Sequence, residues 1–514
     1  MATIKLGHQT YNNFSGGYAS EQASISEDRV SFIGESKNVD IYSTDSNYGY
    51  GFKKMLGNIL FKQIAGEKVK GLYVYQAGKN EDYLIVHTVN DTEGKLYYLD
   101  QANNIVLLKG GLDKDAHQST FVNFSQTLPD KRYLGIFGNG SDPFIKIELG
   151  ASPEIEEIEA LDSEERQVRS SILEVFYGRV WCGVGDRIHW SKSLDPFVWN
   201  TTEDDAGYNQ LDGDIVAITS YANGLIISTT RSIYYCYKDT SDTGFMFTTL
   251  SPNHILSSKS VIKHSNYALY MAEDGIYPIN VTQEDTKRVD EDISWLIGNY
   301  YRQMNTYKKD NAFALSVVCE DKNEVWFHVP MLADEDRSYI FIYRFLQGRQ
   351  NKLYWLPPRI QQKINCLCVF RNMILSGTDK GEILQELRGK TFNGEDIETI
   401  AEFPEIDFNG TYNKQKFKLF IYSELNENNK FYVDYYFNGE NEYDRQEVVL
   451  INQSFNWDEG NWDEENWSPD LILEYQLDKP RKHSRLKLRF TAENSEQDFI
   501  INRIVTTRVK VKNK

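Results

Sequence analysis

Cysteine is scarce in this chain of 514 residues, which has only Cys182, Cys236, Cys319, Cys366 and Cys368. An odd number of cysteines with no regular spacing argues against a disulfide-stapled secreted scaffold. The last two lie two residues apart in an apolar run, so a strand would point both to one face, and a zinc site would need two further ligands nearby. We therefore interpret the five cysteines as small core residues.

Basic residues are too few to balance the acidic ones: 56 Lys and Arg stand against 75 Asp and Glu, for a net charge of −19. A protein that grips nucleic acid needs a basic surface, so this charge argues against tight DNA binding but not against DNA that passes without being held. Apolar runs never approach the roughly 18 residues that cross a membrane. Residues 1–20 also lack the basic start and apolar stretch of a signal peptide, so we expect synthesis in a cytoplasm and no membrane-spanning segment.

Proline is also rare, at 12 residues against 34 glycines, while aromatic residues reach 13% with 33 Tyr, 27 Phe and 9 Trp. Aromatic residues favour strands, and glycine suits many tight turns. The composition therefore predicts a large, all-β globular protein, and the length allows two or three domains.

A unit of apolar strand, polar turn and apolar strand recurs along the first three quarters of the chain. Equivalent points lie near residues 82, 132, 178, 224, 267, 324 and 373. These steps are close to the roughly 40–50 residues of a four-stranded propeller blade. The repeat predicts a β-propeller of six to eight blades, with seven favoured; a large sandwich of unrelated hairpins is the alternative.

Three segments depart from this repeat. Residues 154–173 and 290–307 carry apolar residues at helical spacing, which predicts two helical insertions. After about residue 396 the strands alternate apolar and polar residues with period two, as strands with one wet face do. We therefore predict a propeller-like domain over residues 1–395 and a C-terminal antiparallel β-sandwich over residues 396–514.

No familiar catalytic pattern is present: the nucleophile elbow, the phosphate-binding glycine loop and the two-histidine zinc helix are all missing. His87, His189 and His328 stand singly in strands, where a histidine is usually structural. The acidic turns could in principle hold Ca²⁺ or supply a pair of glycosidase carboxylates, but solvated turns are favoured at this net charge. These turns contain Glu203, Asp204, Asp205, Asp212 and Asp214. We expect no catalytic site, no metal and no cofactor.

Three tryptophans at five-residue spacing, Trp457, Trp462 and Trp467, mark the most distinctive local segment. They could form a sugar-stacking platform, line a Ca²⁺ loop or contact a neighbouring subunit, or they could cover the open edge of the sandwich. Contact or cover is favoured over sugar binding, because no convergent polar pocket can be argued from the sequence.

Part of the chain resembles a known family. The similarity rests on residues 178–183 (GRVWCG), 186–191 (DRIHWS), 195–199 (DPFVW), 213–216 (GDIV), 223–227 (NGLII), 231–234 (RSIY) and 273–277 (EDGIY). These segments resemble the tail hub or nozzle proteins of short-tailed bacteriophages, which include packaged-DNA stabilisation proteins and tail tubular B proteins. The likeness runs from about residue 176 to 381 and more loosely over the Trp-rich C-terminal part, while residues 1–130 match only in broad pattern.

The resemblance implies a structural virion protein that forms a ring below the portal and adaptor, retains packaged DNA and guides its ejection. It implies a closed homo-oligomer, with a hexamer expected, and no catalysis. A receptor- or glycan-binding tail module and a carbohydrate-active propeller enzyme are the alternatives. The expected acidic channel residues are those of the turns named above. The expected partner contacts are Ile293, Leu296, Tyr300, Tyr301, Trp457, Trp462 and Trp467.

Overall fold

The computed structural model describes most of the chain, and within it nearly all regular structure is strand, which confirms the all-β class. The described residues are 4–11, 13–20, 25–26, 29–43, 49–78, 81–116, 118–125, 133–150, 153–200, 205–238, 244–265, 267–281, 287–289, 291–319, 322–345, 353–407, 414–423, 430–449, 471–476, 481–482 and 485–510.

Six strands precede the repeated part of the chain. They are β1 (Ile4–Tyr11), β2 (Ile25–Ser26), β3 (Arg29–Val30), β4 (Val39–Ser43), β5 (Tyr50–Lys54) and β6 (Asn58–Gln63). Strands β2 and β3 form a small hairpin, and the others join sheets built mainly from later strands.

Sheets 1 to 3 are each formed by four consecutive antiparallel strands, in agreement with the repeat. Sheet 1 contains β7 (Lys68–Gly78), β8 (Glu81–Val89), β9 (Gly94–Leu99) and β10 (Ile105–Leu112). Sheet 2 contains β11 (Thr120–Ser125), β12 (Tyr133–Gly138), β13 (Phe144–Glu148) and β14 (Glu154–Ile158). Sheet 3 contains β15 (Leu173–Phe176), β16 (Arg179–Val184), β17 (Arg187–Trp190) and β18 (Gly207–Gln210).

Sheets 4 to 6 continue the same order, and sheet 6 gains a fifth strand. Sheet 4 contains β19 (Ile215–Tyr221), β20 (Gly224–Thr229), β21 (Ile233–Lys238) and β22 (Phe245–Ser251). Sheet 5 contains β23 (Val261–His264), β24 (Tyr267–Met271), β25 (Ile276–Val281) and β26 (Lys287–Val289). Sheet 6 contains β27 (Phe313–Cys319), β28 (Lys322–Val329), β29 (Arg337–Phe345), β30 (Leu353–Trp355) and β31 (Arg359–Gln362).

Sheet 7 joins distant parts of the chain. It contains β32 (Cys366–Phe370), β33 (Met373–Gly377), β34 (Glu382–Glu386), β35 (Thr391–Phe392) and β36 (Glu395–Asp396), with β6 inserted between β34 and β35. The pairing of β6 with β34 is antiparallel and includes Leu60 opposite Leu384. A strand from the N-terminal part therefore completes the last sheet of the repeat.

The first strands of the seven sheets pack side by side in a closed circuit. Strands β7, β11, β15, β19, β23, β27 and β32 each contact the next in this order, and β32 packs against β7. Separate hydrophobic clusters lie between sheets 7 and 1, 1 and 2, 2 and 3, 3 and 4, and 4 and 5. Each sheet thus buries both faces against its neighbours, an arrangement consistent with propeller-like folds.

The five cysteines are buried, as predicted, in these clusters and in the large core cluster. Cys366 and Cys368 both lie in the cluster between sheets 7 and 1, because alternate residues of β32 point to one face.

Strands from both ends of the chain share sheet 8, whereas sheet 9 contains C-terminal strands only. Sheet 8 combines β1, β4 and β5 with β39 (Lys414–Ser423), β42 (Leu471–Gln476), β43 (Arg481–Lys482) and β45 (Ile500–Lys510). Sheet 9 contains β37 (Thr399–Glu402), β38 (Ile406–Asp407), β40 (Lys430–Phe437), β41 (Tyr443–Val449) and β44 (Arg485–Ala492). Strands β1 and β5 both pair with β45, which lies beyond residue 396, whereas β4 pairs with β5. The predicted domain limits themselves stay a prediction.

The prediction of a helix over residues 154–173 is wrong. Residues Glu154–Ile158 form β14, which pairs with β13 and places Ile155 opposite Ile147. The isoleucine spacing that suggested a helix instead serves two packing contacts, since Ile155 packs between sheets 1 and 2 and Ile158 between sheets 2 and 3. The pairing of β14 with the open edge of β13 therefore outweighs the helical spacing of the apolar residues.

The helix predicted over residues 290–307 is present only as short turns. A 3₁₀ turn (Ser294–Ile297) leads into α1 (Gly298–Tyr301), and a second 3₁₀ helix (Thr306–Asn311) follows. The N–H of Asn305 donates to the carbonyl of Pro330 at 2.7 Å, and its side chain accepts from the N–H of Tyr307 at 3.2 Å. These bonds start a new turn at Asn305 and separate it from α1.

Candidate functional site

The acidic residues predicted to face a channel are only partly described. Glu203 and Asp204 lie outside the described residues, whereas Asp205 precedes β18 and Asp212 and Asp214 lie in the connection from sheet 3 to sheet 4. All three described residues are exposed, yet two of them have specific structural partners.

Asp205 neutralises a buried cation. Arg179 is 4% exposed, and its guanidinium forms an ion pair with the Asp205 carboxylate. The same guanidinium donates to the carbonyls of Ser191 at 2.9 Å and Asp205 at 2.7 Å. The hydrogen bond from Arg179 lowers the pKa of Asp205. This carboxylate therefore holds the segment before β18 against β16 and is not a free acid or base.

The Asp212 side chain links the connection between sheets 3 and 4 to a turn of sheet 4. Its carboxylate accepts hydrogen bonds from the hydroxyls of Thr229 and Ser232, both at 2.7 Å. Burial opposes ionisation, but these hydrogen bonds lower the pKa of Asp212. The backbone carbonyl of Asp214 accepts a hydrogen bond from the N–H of Thr230 at 2.9 Å, and Asp214 is exposed. Of Asp205, Asp212 and Asp214, the first two hold structural side-chain bonds.

The Asp-Pro segment that contributes to the family resemblance also has a packing role. The Asp195 carboxylate accepts from the N–H of Phe197 at 3.0 Å, and the indole of Trp199 donates to the carbonyl of Pro196 at 2.9 Å. Trp199 is buried between sheets 2 and 3, with its ring centroid 5.7 Å from that of Phe144. The segment thus covers the space between two sheets.

The predicted contact residues of the helical segment pack largely inside their own chain. Tyr301 is 3% exposed and donates its hydroxyl to the carbonyl of Ala272 at 2.6 Å. Ile293, Leu296 and Tyr300 are partly buried against the same large core. The segment holds the N-terminal strand region, because the N–H of Ser20 donates to the carbonyl of Leu296 at 2.7 Å.

Two aromatic residues that the sequence analysis did not select are exposed in this region. Trp295 is 54% exposed and Tyr307 is 95% exposed. An exposed Trp or Tyr beside a polar surround is typical material for a protein contact. The alternation of buried and exposed positions within the segment could have pointed to them. Trp457, Trp462 and Trp467 lie outside the described residues, so the contact role of both segments stays a prediction.

The scattered histidines described by the structure have structural environments. His328 lies between the carbonyl of Asn311 and the hydroxyl of Ser338, each 3.0 Å from a ring nitrogen, and stacks on Phe313 at 4.3 Å. Burial lowers the pKa of His328 to about 4. Burial also lowers the pKa of His189, while His87 contacts the hydroxyl of Ser119 at 2.8 Å. Within the described ranges, no group of three or more His, Cys, Asp or Glu residues is placed to hold a metal ion.

Buried ion pairs were not predicted from the sequence, and they join different sheets. Arg359 on β31 and Glu386 on β34 are both fully buried and lie 2.6 Å apart. The Glu386 carboxylate also accepts from Gln361 at 3.0 Å, Ser376 at 2.6 Å and Asn58 at 3.3 Å. This carboxylate is therefore the meeting point of sheet 6, sheet 7 and β6.

A second cation, the partly buried Arg344 on β29, links sheet 6 to sheet 8. Its guanidinium donates to Glu324 at 2.7 Å and to Asp40 at 2.7 Å. Burial opposes ionisation of Asp40, but the charge of Arg344 lowers the pKa of Asp40 to about 2. Charged residues at regular strand positions carry no sequence signal of such pairing, and the partners Asp40 and Arg344 lie 304 residues apart.

Comparisons with known proteins give no family assignment. No family model matches the chain, and no curated protein matches it. Among solved structures, similarity is found to the computationally designed Ika8 protein, with TM-score 0.35, 12% identity, 65% of this chain covered and 99% of the other. Similarity is also found to BBS1N in complex with ARL6DN, with TM-score 0.40, 9% identity, 64% of this chain covered and 97% of the other. Across the described part of the chain, no helix is long and apolar enough to cross a membrane.

Proposed function

We propose that the seven repeated sheets form a seven-bladed β-propeller and that sheets 8 and 9 form a β-sandwich beside it. The closed circuit of first strands supports the propeller, and β6 would close the ring by completing the seventh blade with an N-terminal strand. The sandwich is supported by one hydrophobic cluster that contains residues of both sheets. Among them are Ile421 and Ile501 of sheet 8 and Phe431 and Phe490 of sheet 9.

We propose further that this protein is a structural component of a bacteriophage tail, where copies of the chain form a ring around the DNA exit channel. The observation that carries this proposal is the motif similarity over residues 176–381, which spans sheets 3 to 7 up to the turn after β33. The net charge of −19 supports it, because an acidic wall repels the phosphate backbone and lets DNA slide. The ring would lie below the portal and adaptor in the virion tail after synthesis in the bacterial host cytoplasm.

The DNA passage of such a ring would lie between subunits and not along the axis of one propeller. Lys259, just before β23 of sheet 5, extends to the carbonyl of Lys70 in sheet 1, with Nζ to O at 3.4 Å. Sheets 1 and 5 are not neighbours in the circuit, so this side chain spans its interior. A B-DNA duplex, whose major groove alone is about 12 Å wide, does not pass such a contact. A closed cyclic oligomer is the symmetric way to supply a hole of sufficient size.

Native mass spectrometry of the purified 59.6 kDa chain tests the ring. We expect a single closed assembly, with six copies expected from the family resemblance, and a tail reconstruction with the chain arranged around the central channel. A reconstruction that shows isolated peripheral monomers would contradict the proposal. Replacement of the exposed Trp295 and Tyr307 by Ser is expected to weaken assembly more than replacement of Tyr443, which is 46% exposed on β41.

Charge reversal tests the electrostatic part of the proposal. Glu203→Lys, Asp204→Lys and Asp214→Lys together should slow DNA exit from the virion severalfold, and more at low salt than at high salt, because exposed charges are screened within about 8–10 Å near physiological ionic strength. Asp205 and Asp212 are left intact in this variant, since both hold structural bonds. A slowing that does not change with salt would contradict the acidic-channel part and leave the ring in place.

A non-enzymatic role fits the partners of the acidic residues. A glycosidase needs two carboxylates at a fixed separation in a pocket, free to act as acid and base or nucleophile. Asp205 pairs with a buried arginine and Asp212 accepts two hydroxyl hydrogen bonds. We therefore propose that these turns serve structure and charge, not hydrolysis.

A further inference from the structure

A cavity of about 690 Å³ lies at one end of the circuit of first strands. Its lining includes residues just before the first strands of four sheets: Ala116, Lys259, Ala312 and Asn365. The cavity therefore opens at the interior of the circuit, on the end where the first strands begin. Its volume is within the roughly 300–1,000 Å³ of small-molecule sites.

The residues that line this cavity include more basic than acidic side chains, although the whole protein has an acidic net charge. Five basic side chains (Lys70, Lys259, Lys308, Arg337 and Lys363) and four acidic ones (Asp115, Asp310, Asp334 and Glu335) line it, in a chain of net charge −19. The lining therefore lacks the acidic excess of the whole protein, so the surrounding charge does not repel a small anion there.

Three of the five cations already have carboxylate partners. Lys70 lies 2.8 Å and Lys363 4.0 Å from the two carboxylate oxygens of Asp379, and Lys308 pairs with Glu335. Burial opposes ionisation of Asp379, but the hydrogen bond from Lys70 lowers its pKa. One shared carboxylate thus faces two ammonium groups.

Lys259 is different, because it has no carboxylate within 4.0 Å among the described residues. Its ammonium group donates to the Lys70 carbonyl at 3.4 Å and lies 5.9 Å from the ring centroid of Tyr73. Burial raises the pKa of the Cys366 thiol to about 11, and the charges of Lys259 and Lys70 oppose that rise. A half-buried cation with a weak neutral partner retains unused capacity to bind an anion.

Apolar groups of the same cavity complete a site for an organic ion. Phe313, Met331, Pro330 and Ile364 line it beside the exposed ring of Tyr307. We propose that this cavity binds a small organic anion, with its carboxylate group on Lys259 and its body against the Phe313 and Met331 side chains. A free small acid and an acidic sugar of a polysaccharide share this chemistry. The inference does not depend on the ring or on the virion role.

Calorimetric titration of the full chain with four probes tests the proposal: benzoate and glucuronate as anions, and benzamide and glucose as their uncharged counterparts. We expect saturable binding of at least one anion, at least tenfold tighter than its neutral counterpart and weaker at high salt. Tighter binding of benzoate would indicate a free aromatic acid, and tighter binding of glucuronate an acidic sugar. Failure of both anions to bind, or equal binding of the neutral probes, would overturn the proposal.

Variants locate the binding site. Lys259→Met should weaken binding of the preferred anion at least tenfold, whereas Lys380→Met, which removes the same charge from an exposed turn outside the cavity lining, should change it less than twofold. If Lys259→Met does not fold, Arg337→Gln at the cavity lining gives a second measurement, with a severalfold loss expected. Equal effects of the cavity variant and the Lys380 variant would place binding elsewhere and refute the site.

Discussion

Glu386→Gln is expected to lower the free energy of unfolding by about 3–5 kcal/mol, the usual cost of removing one partner of a buried ion pair. The carboxylate is fully buried and accepts from Arg359, Gln361, Ser376 and Asn58, so an amide NH₂ in its place would face donors. The Arg359 guanidinium would stay buried without its counter-charge. Urea unfolding followed by tryptophan fluorescence measures the change.

Glu395→Gln provides the matched control for this prediction. Glu395 lies on β36 of the same sheet and is exposed, and an exposed substitution of this kind usually changes stability by less than about 0.5 kcal/mol. Equal unfolding midpoints for the two variants would show that the Glu386 network contributes little. A loss confined to Glu386→Gln would show that the contact between sheets 6 and 7 depends on this carboxylate.

Local pattern was sufficient to predict the sheets of the repeat. Residues 178–182 and 187–190 show the repeated pattern of apolar strand, polar turn and apolar strand, and they lie in β16 (Arg179–Val184) and β17 (Arg187–Trp190), apart from Gly178 in the preceding turn. The turn before β16 is equally local, since Tyr177 and Gly178 both have positive φ, as a two-residue hairpin turn requires. Such features depend on neighbouring residues and are therefore visible in a single sequence.

Non-local pairing was not visible in the same way. The isoleucines of residues 154–158 fit a helical period as well as a strand, and the open edge of β13 decided between them. No local feature of the sequence indicates that β6 pairs with β34, more than 300 residues later. The ion pair between Asp40 and Arg344 has no local signal either. The prediction of the acidic site failed to identify structural residues for the same reason. The exposed Asp205 forms an ion pair with Arg179, and only the folded chain brings the two residues together.

The N-terminal region joins two parts of the structure at once. Strand β6 covers the edge of β34, and Ile64 packs into the cluster between sheets 7 and 1. Phe14, Phe32 and Phe52 are fully buried in the large core, where their rings contact one another at centroid distances of 4.7–6.2 Å. Each buried Phe contributes about 1.5–3 kcal/mol, so these rings alone approach the total stability of about 5–15 kcal/mol typical of folded proteins.

A chain that lacks residues 1–64 is therefore expected to lose cooperative folding, because sheet 7 loses β6 and sheet 8 loses three strands. Co-expression of residues 1–64 as a separate segment should restore a soluble complex with a single thermal transition. Asn58→Asp in that segment should abolish rescue, since Asn58 is fully buried and lies 3.3 Å from the Glu386 carboxylate, where a second negative charge would be unpaired. Gln63→Glu makes the same amide-to-acid change at an exposed position of β6 and should rescue normally. Cooperative unfolding of the 65–514 chain alone would show that the circuit of first strands is stable without its N-terminal strand, and that the ends of the chain do not close it.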